Sequence, residues 1–188
     1  MSSPNPSPPL AGPGRFTLRA AEPSDLNAIV GLIGELAAFE SLTHQLQVTP
    51  EKLAPHLFGP KPVAEALVVD VVDAADAGSG ATRARGATVV AFALFFTHFS
   101  TFLAQPGLYL EDLYVQPTHR GRGIGKALLT RLAQTALERG CGRFEWSVLD
   151  WNEPAIRFYR GMGATVMPDW RICRVSGEAL AQWGAPQG

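Results

Sequence analysis

The 188 residues, 46% of them apolar, are enough for one sizeable hydrophobic core and too few to expect two. Sixteen lysines and arginines against seventeen acidic residues leave a net charge of -1, which gives no electrostatic case for a nucleic acid or a membrane as partner; any anion site has to be local. Cys141 and Cys173 sit in no CxxC pattern, His44, His56, His98 and His119 lack metal-ligand spacing, and no apolar run reaches the ~20 residues of a bilayer span, so the expectation is a cytoplasmic protein without a metal.

The opening "MSSPNPSPPLAGPGR" holds five prolines in its first thirteen residues, which predicts a disordered arm over residues 1–14. "RFTLRAAEPSDL" then alternates Phe16, Leu18 and Ala20 with polar residues and turns at Pro23, where Ser24 or Asp25 is available as a helix N-cap. Leu26, Ile29, Val30, Ile33, Leu36 and Ala37 recur at helical spacing up to Phe39–Ser41, and Thr49-Pro50 opens a second short helix through Leu57. The β-branched runs "ALVVDVV" (66–72) and "ATVVAFALFF" (87–96) read as a long hairpin, and "LYLEDLYV" (108–115) as a further strand. A helix carrying Ile124, Leu128, Leu129, Leu132, Ala136 and Leu137 stops at Gly140; "RFEWSVL" (143–149) is a strand, "NEPAIRFYRGMGA" a helix, and "DWRICRVS" (169–176) a last strand closing the sheet. This order is a mixed α/β sheet with helices on both faces, in one domain over residues 15–180, followed by a flexible tail over 181–188.

Between the 108–115 strand and the helix that follows it lies "HRGRGIGKALL" (119–129). A nucleotide phosphate loop would need Gly where Arg120 stands and Ser or Thr where Ala127 stands, and a dinucleotide fingerprint would need Gly in place of Lys126. What remains is a strand exit feeding a helix N-terminus, with Gly121, Gly123 and Gly125 letting the backbone approach an anion; the shape suits a pyrophosphate.

Arg120-Gly121-Arg122-Gly123-Ile124-Gly125 resembles the acetyl-coenzyme A signature Q/R-x-x-G-x-G/A of the GNAT superfamily of N-acetyltransferases. With "LYLEDLYV" before it and "NEPAIRFYRGMGA" after it, the chain is similar to the diamine acetyltransferases within that superfamily, the spermidine/spermine and thialysine enzymes, from about residue 15 to 180. The resemblance implies a GNAT-type, mostly antiparallel sheet and an acetyl-CoA cosubstrate. It places the backbone of Leu113, Tyr114 and Val115 along the pantetheine arm, residues Arg120, Gly121, Arg122, Gly123, Ile124, Gly125 and Lys126 at the pyrophosphate, and Asn152, Glu153, Pro154 and Ala155 beside the same arm. It also implies direct attack of the amine on the thioester in a ternary complex, with Tyr159 as general acid. A phenol, protonated at neutral pH, is suited to hand a proton to a departing thiolate.

Glu111 and Asp112 are adjacent carboxylates in an otherwise apolar strand, where neighbours point to opposite faces unless the strand is bulged. A substrate ammonium must lose a proton before it attacks, and a nearby carboxylate both attracts the cation and relays its proton through water. Glu111 takes that role here, with Asp112 as partner; the competing reading of Asp112 is a buried ion pair with Arg19 or Arg171. No histidine adjoins Cys141 in sequence to make it a nucleophile, so both cysteines read as small apolar fillers.

Where the polyamine enzymes carry Tyr-Glu followed by several acidic residues, this chain has "FESLTHQL": Phe39 replaces the Tyr, Glu40 remains, and Thr43 and His44 stand where more acid would be. Fewer carboxylates weaken a polyamine more than a shorter amine. With Glu145, Trp146, Ser147 and Asp169 as further acceptor-side residues, the expectation is a small primary amine, diamine-like or lysine-like. The rival readings are a non-catalytic acyl-CoA sensor and an acetyltransferase for protein lysine or an antibiotic amine. A homodimer is expected by analogy with the subgroup alone, the C-terminal strand meeting a partner.

Overall fold

The computed structural model describes residues 10–11, 16–71 and 87–185, which gather into two compact units, one running through Ser147 and one from Val148 onward. The first unit is built on a sheet whose strands lie in chain order: β1 (Leu10–Ala11), β2 (Phe16–Ala20), β3 (Glu65–Val71), β4 (Thr88–Ser100), β5 (Gln105–Val115) and β6 (Arg143–Trp146). All neighbours are antiparallel except β5 and β6, which run parallel. This is the expected mixed, mostly antiparallel sheet. A parallel neighbour requires a crossover, and α3 (Ile124–Glu138) provides it.

The other helices of this unit are α1 (Leu26–Phe39) and α2 (Pro50–Phe58), the latter capped by Thr49, whose side chain accepts from the Lys52 amide at 3.3 Å. Val68, Phe92 and Tyr114 lie in register across β3, β4 and β5, and with Ala66 they meet Ile29 and Leu32 of α1 and Leu57 of α2 in one buried cluster. Residues alternating with these, including Leu67, Val69, Ala91 and Ala93, are also buried and face the other side, where α3 packs through Leu128, Leu129 and Leu132.

Polar groups under α1 are satisfied by one guanidinium. Arg19 donates to Asp25 (2.6 and 2.9 Å) and to Asp70 (2.6 Å), both carboxylates being buried, and the two anions hold the arginine's proton more firmly than usual. Asp25 therefore serves the arginine and the Glu22 amide (2.8 Å); its side chain makes no cap bond to α1. Arg19 is also thereby committed away from Asp112.

Several boundaries differ from expectation. Leu10–Ala11 pair with Leu18 and Thr17 of β2, inside the stretch expected as a disordered arm, whose remaining residues lie outside the described ones, as does the 72–86 connection of the hairpin. β6 ends at Trp146, three residues before the expected end. In the second unit, α4 (Glu153–Gly161) forms as predicted, but residues 169–176 adopt no regular structure, and α5 (Gly177–Trp183) replaces the start of the expected tail. A strand needs a neighbour for its backbone groups, and none pairs with 169–176 among the described residues; Trp170 and Ile172 stand 72% and 70% exposed. Cys173 is exposed with them, so it is not the apolar filler expected, while Cys141 is half-buried.

Candidate active site

β5 positions the acceptor-side residues. In its ladder with β4, Leu94 pairs with Asp112 and Phe95 with Leu110, so Glu111 is the extra residue of a β-bulge. Asp112 thus shares the α1-facing side with Tyr114, two residues on, whereas Leu110 faces the other way. The bulge breaks the alternation and lets both neighbouring carboxylates line one cleft, together with Glu40 just past the end of α1 and an apolar wall of Ile33, Leu36, Leu42 and Leu46. The wall residues were not singled out from sequence; Ile33 and Leu36 show only as members of the α1 apolar face, and Gln45, also in the lining, carries no signal at all.

Among the described residues no cation is paired with Glu40, Glu111 or Asp112. Burial, then Glu111, then Glu40, pushes Asp112 up from 3.8 to about 6, and burial also raises Glu40. Of the two arginines offered as ion-pair partners for Asp112, Arg19 is held by Asp25 and Asp70, while Arg171 belongs to the second unit and donates to the carbonyls of Pro168 and Trp170. Uncompensated anions in one cleft form a cation-binding surface.

Within the first unit, the other expected acceptor-side residues, Glu145, Trp146 and Ser147, do not line that cleft. Glu145 is engaged by Arg143 (2.8 Å) and His98 (3.2 Å). The His98 ring reaches it over Gly107, where a Cβ would stand 2.3 Å from Nε2, so a larger residue there would displace the ring. Trp146 alternates with Glu145 along β6, pairs with Leu110 and packs on Phe144, with ring centroids 4.9 Å apart. Ser147 Oγ is hydrogen-bonded to the Tyr109 hydroxyl at 2.8 Å. Asp169 is exposed in the segment that forms no strand.

The residues expected on the coenzyme side begin where β6 stops. Its pairing ends at Leu110–Trp146, while β5 continues through Leu113, Tyr114 and Val115 with β4 alone as partner. Every second residue there presents its backbone groups away from β4, the arrangement an extended ligand needs to add itself as a strand. The chain then turns through Pro117–His119 to Gly121 and Gly123, both left-handed at φ 75° and 82°. Gly123 occupies the N-cap of α3, so the amides of Ile124, Gly125 and Lys126 open the helix with its positive dipole end. The space around both left-handed glycines is open, with nothing within 4 Å of where a Cβ would be, so no described side chain blocks an anion from approaching this backbone there.

Arg120, expected at the pyrophosphate, lies 5.3 Å from the Phe39 ring centroid and 5.5 Å from that of Tyr114, and its Nε donates to the Val115 carbonyl at 2.9 Å. Arg122 reaches His119, Nη1 to Nδ1 at 3.5 Å.

The acetyltransferase (GNAT) family model matches residues 48–164. The chain belongs to that family. It is 36% identical over 168 residues to a thialysine N-epsilon-acetyltransferase from Mus musculus, covering 88% of this chain and 95% of that one. It is 34% identical over 195 residues to an L-ornithine N5-acetyltransferase from Arabidopsis thaliana, covering 87% and 85%. Among solved structures, an integron cassette protein from the mobile metagenome of V. cholerae superposes with a TM-score of 0.70 at 21% identity, over 92% of this chain and 99% of that one, a likeness of fold. The chain is accordingly an acetyl-CoA-dependent N-acetyltransferase of the small-amine group. No helix among the described residues is long and apolar enough to cross a membrane.

In the second unit, the Asn152 side chain accepts from the Ala155 amide at 3.3 Å and Pro154 sits in the first turn, so "NEPA" opens α4 as a helix-start signal in its own right. Tyr159 lies on this helix, half-buried, with its ring 5.5 Å from that of Phe158.

Proposed function

We propose that this acetyltransferase acts on a short primary amine that carries a second charged group or a heteroatom in its chain, in the manner of a diamine, ornithine or thialysine. The observation that carries this reading is the cleft in which Glu40, Glu111 and Asp112 meet an apolar wall without a balancing cation. The carboxylates attract an ammonium, and the apolar wall of Ile33, Leu36, Leu42 and Leu46 accommodates a short methylene or thioether stem. A polyamine has further cationic centres that this stretch of chain, with Thr43 and His44 in place of acid, leaves unmatched.

When bound, acetyl-CoA supplies the acetyl group as a thioester. The amides of Gly121 to Lys126 hold its pyrophosphate, and the unpaired edge of Leu113–Val115 orients the arm. Glu111, through water, accepts the proton that the ammonium must lose, and Asp112, raised to about 6, is ionised at neutral pH yet a better proton acceptor than an ordinary aspartate. The neutral amine then attacks the carbonyl directly, and Tyr159, by its place in the family motif, protonates the departing thiolate. The protein works as a homodimer in this reading, supported by the apolar exposure of Met167, Trp170 and Ile172.

The test is steady-state thiol release from acetyl-CoA with thialysine, ornithine, short diamines, lysine, spermidine and a lysine peptide. Turnover of thialysine, ornithine or a short diamine above spermidine is expected. Spermidine or the peptide as best acceptor would overturn the reading of the cleft, and coenzyme A binding without turnover of any amine would favour a sensor.

A further inference from the structure

Arg120 is held by groups of its own chain. Its Nε donates to the carbonyl of Val115, the last residue of β5, and its guanidinium carbon lies over the rings of both Phe39 and Tyr114, 5.3 and 5.5 Å from their centroids. The Phe39 ring adjoins the acceptor cleft, and the Tyr114 ring stands on the stretch of β5 whose backbone edge is assigned to the coenzyme arm. Phe39 is the last residue of α1 and is followed directly by Glu40 of the cleft; Tyr114 lies on the same face of β5 as Asp112, two residues away. Arg120 itself is followed directly by Gly121, the first of the left-handed glycines. A second bond joins the same segments one helical turn earlier, where Gln116 Nε2 donates to Glu35 Oε1 at 2.9 Å. A planar cation is what two aromatic faces and a carbonyl can hold together, a combination an ammonium group does not reproduce.

We infer that Arg120 is a positioning residue that couples the coenzyme loop to the acceptor cleft, so that coenzyme A and the amine each tighten the other's binding. Ordering residues 121–126 on a pyrophosphate fixes the Arg120 backbone; the stack then fixes the end of α1 and with it Glu40. The coupling is reciprocal by thermodynamic necessity. The inference rests on the assignment of the two sites above.

Calorimetric titration of the full chain with coenzyme A, with and without saturating thialysine, tests it in the wild type and in Phe39→Leu, Phe39→Tyr and Arg120→Lys. Thialysine is expected to lower the coenzyme A Kd about fivefold in the wild type, the low end of ordinary coupling. In Phe39→Leu and Arg120→Lys the factor falls below about twofold, and the amine KM rises while kcat at saturation holds; Phe39→Tyr, which keeps the ring face, restores the factor. A Phe39→Leu protein that retains the full factor overturns the inference. So does an Arg120→Lys protein that loses coenzyme A affinity outright with the factor intact, the behaviour of a phosphate ligand. A wild type that binds both ligands without reciprocal effect refutes the coupling alone, whereas one that fails to bind coenzyme A or thialysine refutes the site assignment beneath it.

Discussion

Asp112→Asn should make the protein more stable and less active, and the two effects should follow pH differently. The native state holds this aspartate at about 6 against an ordinary 3.8, because it is buried beside Glu111 and Glu40. An acid raised in this way binds more protons folded than unfolded, so the folded state is penalised as pH rises from about 4 to about 6, and the penalty is complete above that. At about 1.4 kcal/mol per tenfold change in proton affinity, the full penalty is about 3 kcal/mol at pH 8, falling to about half at pH 5. Asparagine removes the charge at nearly constant volume. The variant should therefore unfold about 6–12 °C higher than the wild type at pH 8, with the gain shrinking steadily on acidification. Thermal unfolding followed by circular dichroism between pH 5 and 8 measures this, and thiol release measures the accompanying loss of about 100-fold in kcat/KM for the amine. A gain independent of pH, or a destabilised variant at pH 8, would refute the account of an uncompensated buried carboxylate.

Three other substitutions test different parts of the molecule. Tyr159→Phe should lower kcat by about 100-fold with little change in the acetyl-CoA KM; full rate across the pH range in a thiol-release assay would remove the general-acid role. Gly123→Ala introduces a side chain into open space but at φ 82°, so the strain is conformational, about 1 kcal/mol, and should appear as a melting point a few degrees lower together with weaker coenzyme A binding by titration. Arg19→Met leaves the buried Asp25 and Asp70 without their shared cation and should lower stability by about 3–5 kcal/mol in urea unfolding at pH 7; a loss below about 1 kcal/mol would mean that the two carboxylates find other partners.

Local patterns carried the fold as far as the patterns themselves were local. The β-branched runs of β3 and β4, the apolar stripe of α3 and the Thr49-Pro50 and Asn152-Pro154 helix starts are each written within a few residues and appear where expected, except that Leu137, expected on the stripe, is exposed while Thr135 is buried. Residues 169–176 alternate and are rich enough in Trp, Ile and Val to look like a strand, but a strand is completed by a neighbour that sequence does not name, and none is present among the described residues. The glycine loop was legible because φ above zero and close backbone approach restrict the residue type. The acceptor cleft was legible only in part: the Glu111–Asp112 dipeptide shows that a bulge would be needed to aim both at one place, yet the bulge itself is a matter of register with β4, and the role of Arg120 depends on two rings 81 and 6 positions away in the chain.

The chain treats two groups of carboxylates in different ways, and the contrast separates support from function. Asp25 and Asp70 share Arg19, and the three groups join β2, β3 and the entry to α1 with each charge answered. Glu40, Glu111 and Asp112 crowd together on the same face of the sheet, and no described residue answers them. A fold optimised for stability alone would place a cation or an amide there, as it does at Arg19, since like charges at one site hold Asp112 away from its preferred ionisation state. In the proposed reading the substrate supplies the missing cation. An ammonium entering the cleft relieves the repulsion that folding leaves in place, so amine binding should release the Asp112 proton and draw its apparent pKa back below about 6, visible as proton release when thialysine is titrated near pH 6 in two buffers of different ionisation enthalpy. Binding that takes up protons at that pH, or that is indifferent to it, would mean that the amine sits elsewhere.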